Sequence, residues 1–96
     1  MKLSKQDIQA QLADRPGWSY DNDAIVRTFT FSGFADAIAF ITRLAFDAEA
    51  ADHHPDLQVN FKRVTVIWST HSEGGVTTKD LDGAGKADAI AANFGV

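Results

Sequence analysis

The sequence predicts an α+β fold: a four-stranded antiparallel sheet covered on one face by three helices, in the order helix, strand, strand, helix, strand, strand, helix. Three observations carry this. A long run from Ser32 to about Asp52 has apolar residues at helical spacing, a pair of short alternating segments lies on each side of it, and a further helical segment closes each end of the chain.

Ser4 to about Ala13 opens on a capping residue and sets Ile8 and Leu12 four apart, which predicts a short amphipathic helix ending before Pro16-Gly17. Trp18 to Tyr20 and Ala24 to Phe31, joined by Asp21-Asn22-Asp23, predict a hairpin. Ile25, Phe29 and Phe31 share one pleat face, and Val26, Thr28 and Thr30 the other. Arg27 interrupts the apolar face and is expected at a wet edge. The central helix carries Phe34, Ile38, Ile41, Leu44, Ala45 and Ala48 along one stripe, and Pro55 requires it to end at or before His54. Leu57, Val59 and Phe61 alternate with Gln58, Asn60 and Lys62. After a turn at Lys62-Arg63, the mostly β-branched run Val64 to Thr70 completes a second hairpin. Thr77 or Thr78 caps a last helix to about Phe94, with Leu81, Ala84, Ala87, Ile90, Ala91 and Phe94 inward. Gly83 and Gly85 weigh against its first half, since each costs about 1 kcal/mol in a helix interior.

A chain of 96 residues with 45% hydrophobic and 23% charged residues is expected to form a single domain, residues 1–96, with one core. Ten aromatic residues (seven Phe, two Trp, one Tyr) in so small a domain lead us to expect a homo-oligomer. A net charge of −4 without a Lys/Arg cluster argues against nucleic acid as a partner. The absence of cysteine excludes disulfides, thiolate nucleophiles and Cys-ligated zinc. Met1 to Ala13 has no apolar signal region and no stretch approaches a membrane span, so a cytoplasmic protein without membrane attachment is expected.

The three histidines fall between positions 53 and 71, each at an element boundary. Glu49 lies four residues before His53, hence on the same helical face, and His53 is expected in the last turn, where the negative end of the helix dipole also favours a protonated imidazole. Such a histidine is a proton donor near neutral pH, or simply a helix-end residue paired with a glutamate. His54 is held extended by Pro55 and diverges from His53. Asp52 beside them either accepts hydrogen bonds from a ligand's ring N–H groups or is solvated. His71 stands at the rim of the sheet, where sites collect. Asp80, three residues after Thr77, fits a capping box as well as a site. Adjacent histidines do not have the i, i+4 spacing of a metal-binding helix, and Ser69, Thr70 and Ser72 near His71 lack a nucleophile elbow. Zinc and Ser-His-Asp hydrolysis are thereby disfavoured.

Taken together these residues form a pattern: Glu49, three residues, His53-His54-Pro55, five residues, Phe61, nine residues, His71, eight residues, Asp80. With Gly17-Trp18 and the triplet Ser69-Thr70-His71, this closely resembles the signature of the pterin-4a-carbinolamine dehydratase family over nearly the whole chain. The resemblance implies the four-stranded, three-helix fold in dimers or dimers of dimers. It also implies dehydration of 4a-hydroxytetrahydropterin to quinonoid dihydropterin, in tetrahydrobiopterin recycling linked to an aromatic amino-acid hydroxylase, with no metal and no redox cofactor. On this resemblance His53 and His71 are the acid and base, and His54 and Asp52 bind the ring. Glu49 and Asp80 orient, and Ser69 and Thr70 offer backbone groups. The family often has an aromatic residue where this chain has Leu57. Some members act instead as dimerisation cofactors of transcription regulators, which sets an interaction protein beside the enzyme as the alternative.

Overall fold

The computed structural model describes residues 1–96. Its elements are α1 Lys5–Leu12, β1 Ser19–Asp21, β2 Ala24–Thr30, α2 Phe34–Ala51, β3 Asp56–Asn60, β4 Arg63–Trp68, a short 3-10 turn His71–Glu73, and α3 Thr78–Ala92. The strands form one antiparallel sheet in the order β1-β2-β4-β3, with β4 beside β2 in register from Ile25↔Trp68 to Thr30↔Arg63. Ile8 of α1, Phe40 and Leu44 of α2, and Leu81 and Ile90 of α3 join Ile25, Phe29, Val64, Val66 and Trp68 in one buried cluster, so all three helices cover the same face. On the opposite face the hydroxyls of Thr28 and Thr65 hydrogen bond at 2.9 Å. The expected α+β architecture is therefore present. No helix is long and apolar enough to cross a membrane.

Phe40 forms the centre of the core, its ring 5.0 Å from Phe29 and 4.9 Å from Phe31. Pairs of this kind add about 0.5–1.5 kcal/mol each beyond the area they bury. Helix ends follow the sequence signals. The Ser4 hydroxyl accepts from the Asp7 N–H at 3.1 Å, and Thr77 with Asp80 forms a capping box at the start of α3.

Three expectations are corrected. The inward face of α2 is Ala37, Phe40, Leu44 and Ala48, while Phe34, Ile38 and Ala45 lie outside it and Ile41 is half-buried. The helix is apolar around so much of its circumference that periodicity alone does not choose a face. Small Ala37 and Ala48 beside Phe40 and Leu44 let it approach the sheet closely. The second turn is Phe61-Lys62, because Asn60 pairs with Arg63, and Phe61 takes a left-handed φ of +54°. Arg27 is not at a wet edge. Its guanidinium lies 4.3 Å from the centre of the Phe29 ring and donates to Asp88 at 2.7 Å, while the buried Trp18 Nε1–H donates to the same carboxylate at 2.9 Å. Gly17 makes room for it: a Cβ there would stand 2.7 Å from Arg27 Nε.

The Gly83 penalty in α3 has a similar cause, since a Cβ at that position would come within 2.6 Å of the Trp68 indole. The helix accepts glycine because no side chain fits beneath that ring.

Asp88 ties the β1–β2 hairpin to α3. Asp88→Ala is expected to lower unfolding stability by about 1–3 kcal/mol, because it leaves the Trp18 N–H without an acceptor. Asp88→Asn, which keeps an acceptor oxygen, costs less. Urea denaturation of both variants checks the order.

Candidate active site

The site starts where α2 stops. Asp52 takes the left-handed conformation, φ +50° and ψ +42°, its N–H donates to the Glu49 carbonyl at 3.2 Å, and the His53 N–H donates to the Ala48 carbonyl at 3.1 Å. This is a Schellman closure with aspartate where glycine is usual. It breaks the helical phase between Glu49 and His53, so their expected pairing does not form. Glu49 Oε1 instead meets His54 Nε2 at 2.7 Å, and His53 Nε2 meets Asp80 Oδ1 at 2.5 Å.

The two pairs differ in setting. His54 and Glu49 are 53% and 76% exposed, whereas His53 is 13% exposed and Asp80 fully buried. A buried carboxylate must have its lone pairs answered. Oδ2 of Asp80 accepts the Thr70 hydroxyl at 2.8 Å and the Thr77 N–H at 2.9 Å. Thr70 has one hydroxyl proton and gives it to Asp80, so the Thr77 hydroxyl donates to Thr70 Oγ1 at 2.8 Å. Thr77 Oγ1 in turn accepts from the Lys79 N–H at 3.2 Å. With Nε2–H of His53 directed at Asp80, the ring's remaining proton site is Nδ1.

Strand alternation explains which residues reach this network. Val64, Val66, Trp68 and Thr70 are buried in turn, and Thr65, Ile67 and Ser69 point to the other face. Thr70 therefore acts through its side chain. Its N–H and C=O are engaged with Gly75 O at 2.9 Å and Glu73 N at 3.0 Å. Ser69 Oγ donates to the Asp23 carbonyl at 2.8 Å on the open face.

Two cavities flank this corner. A groove of about 210 Å³ between α2 and α3 has His53 and Trp68 at its wall and Asp47, Lys79, Asp82 and Lys86 among its lining. A cleft of about 490 Å³ on the open face is lined by Ser69, His71, Asp56 and the Asp21–Asp23 turn. His71 is exposed on the 3-10 turn, two residues before Glu73, whose carboxyl is held below its ordinary range by a hydrogen bond from the terminal ammonium of Met1, 2.8 Å away. The structure thus joins His53, Thr70 and Asp80, joins His54 and Glu49, and sets Ser69 and His71 in the second cleft. Asp52 is exposed, with no hydrogen bond to its carboxylate.

The model of the family described as pterin 4 alpha carbinolamine dehydratase matches residues 1–90. The chain belongs to that family. A Thermosynechococcus vestitus protein with the provisional name pterin-4-alpha-carbinolamine dehydratase is 52% identical over 81 residues, 84% of this chain and 85% of that one. A Chloroflexus aurantiacus protein with the same provisional name is 49% identical over 89 residues, 93% and 96% of the two chains. Among solved structures, a Brucella melitensis protein described as a transcriptional coactivator/pterin dehydratase superposes with a TM-score of 0.92 at 38% identity, covering 95% of this chain and 99% of that one.

One feature of this dehydratase-family site did not come from the histidine pattern. The His53 imidazole stacks on Trp68, ring centres 5.4 Å apart and planes 17° from parallel. The signal was available, because Trp68 and Thr70 are two apart in an alternating strand and so share the face that meets Asp80.

The contrast between the two pairs is testable. Asp80→Ala leaves the Thr77 N–H and His53 unpaired and should destabilise the fold by about 2–4 kcal/mol. Glu49→Ala breaks an exposed pair and should stay within about 0.5 kcal/mol of wild type. Thermal and urea unfolding of the two variants side by side would measure this.

Proposed function

We propose that the protein dehydrates 4a-hydroxytetrahydropterin to quinonoid dihydropterin and water, in a cytoplasmic pterin-recycling step that follows an aromatic amino-acid hydroxylase. The observation that carries this reading is the His53–Asp80 pair at the wall of a groove, in a chain of the dehydratase family. The substrate seats against His53 in the groove between α2 and α3, and His71, in the cleft on the other face of the sheet, is the second member of the acid-base pair on the family resemblance alone.

The reaction removes the proton from N5, and the freed electron pair forms the C4a=N5 double bond. The C4a–O bond breaks, and the departing oxygen takes a proton and leaves as water. Two protons move and no electron carrier is needed, so one base and one acid suffice. Because Asp80 holds Nε2–H of His53, Nδ1 accepts a proton when the ring is neutral and donates one when it is protonated. His71 supplies the complementary transfer. His54, steadied by Glu49, and Asp52 bind the ring through its polar edge.

His53→Ala and His71→Ala should each lower turnover by up to about 10²-fold, the size of a general acid-base contribution, whereas His54→Ala should act mainly on KM. The double variant should lose less than the product of the single losses, since spontaneous dehydration sets a floor. A stopped assay of quinonoid dihydropterin formation across pH measures all four. Wild-type turnover in both His53→Ala and His71→Ala would remove the assignment.

Phe34 and Phe46, 54% and 70% exposed on α2, support assembly as a homodimer or homotetramer, because apolar side chains of this size on one helix favour burial against another copy. Light scattering at micromolar concentration should find an oligomer, and a monomer alone would count against it. The same exposed residues favour a second reading as an interaction module, in line with the coactivator description of the Brucella melitensis relative. An oligomer without dehydratase turnover would select it.

A further inference from the structure

Three features of Trp68 bear on His53. The indole is 2% exposed, its Nε1 is buried without a hydrogen-bond partner, and a Cβ at Gly83 would come within 2.6 Å of Cε2 and Cζ2 of the ring. The imidazole of His53 stacks on the same ring system. Two of these features lower stability. An orphaned buried N–H is unfavourable, and so is a glycine in the interior of α3. A leucine at position 68 opposite an alanine at position 83 would remove both defects. An aliphatic side chain would not reproduce the stack on His53.

We infer that Trp68 is a positioning residue for His53. The hydrogen bond from Nε2 to Asp80 fixes one edge of the imidazole but leaves rotation about the line of that bond, so Nδ1 can sweep through an arc. The stacked indole, its plane 17° from that of the imidazole and its ring centre 5.4 Å away, opposes that rotation. The plane comes from Trp68 and the edge from Asp80, and together they hold Nδ1 in one direction. Gly83 belongs to the same device, because it is the opening in α3 that admits the indole. The inference rests on the reading of His53 as a proton-transfer group, and its test must fail separately from that reading.

The variants are Trp68→Phe, which keeps a ring wall and removes the orphaned N–H, and the double variant Trp68→Leu with Gly83→Ala, which removes the wall and both defects together. The double variant should stay folded, as thermal unfolding checks, and yet lose about 10- to 100-fold in kcat with KM little changed, because the misdirection acts on the proton transfer. Trp68→Phe should recover most of that turnover. Wild-type kcat in the double variant would overturn the inference. The second readout needs no activity: the carbon-bound ring protons of His53, followed by NMR, carry the ring-current shift of the stacked indole. Wild type and Trp68→Phe should give displaced resonances from one ring orientation, and the double variant averaged ones near random-coil positions. If the wild-type protein had no turnover above the spontaneous rate, the dehydratase reading would fall while the NMR arm still decided the positioning. Undisplaced or averaged His53 resonances in the wild-type protein would sink the positioning whatever the activity.

Discussion

The arrangement of the site depends on one buried carboxylate. Asp80 receives His53 from the end of α2, the Thr70 hydroxyl from just beyond the end of β4, and the Thr77 N–H from the start of α3. A charge without solvent is tolerated only when its acceptor sites are answered, and here each answer comes from a different segment. The three segment ends are therefore located relative to one another by a single group. The same carboxylate caps α3 and orients the imidazole, so the local stability of the helix and the geometry of the site are not separable functions of Asp80.

The ending of α2 separates two residues that are chemically identical. Had the helix run on, His53 would have lain over Glu49 in solvent. The left-handed turn at Asp52 sends His53 inward to Asp80 and His54 outward to Glu49. In the exposed pair, water and salt screen the interaction, and its worth is small. In the enclosed pair the same two group types act in a lower dielectric, where alignment of donor and acceptor counts for more. Placement by the backbone, rather than composition, gives the two histidines different tasks.

Much of the fold was legible in the sequence because the hairpins and α3 have one apolar face each. Val64, Val66 and Trp68 alternate with Thr65, Ile67 and Ser69, and Leu81, Ala84, Ala87, Ile90 and Ala91 recur at helical spacing and are buried. Where a segment is apolar on more than one side, as α2 is, the pattern stops discriminating, and Phe34 and Ile38 face out although their spacing predicts an inward position. Asp80 was legible as a cap through Thr77, and its second contact was not, because a bond to His53 spans 27 residues and depends on the phase in which α2 ends. That phase turns on a left-handed aspartate, a conformation for which local sequence gives only weak preference. The division of Ser69 and Thr70 between two faces followed from strand alternation, which is local and could have been read directly.

Departures from local preference are concentrated around this corner. Asp52 adopts a left-handed conformation, Asp80 is a buried acid, Gly83 lies in the interior of a helix, and the Trp68 N–H has no partner. Away from it, the other non-glycine residues with positive φ are Asn22, Asp23 and Phe61, all in hairpin turns where such angles serve chain reversal. Sequences that fold well are locally consistent, so a cluster of exceptions in one place calls for a common cause. Here each exception constrains the same ring: Asp52 turns His53 inward, Asp80 holds its edge, Trp68 sets its plane, and Gly83 admits Trp68. The destabilising features of this small domain are thus gathered on the residue that the dehydratase reading asks to move a proton.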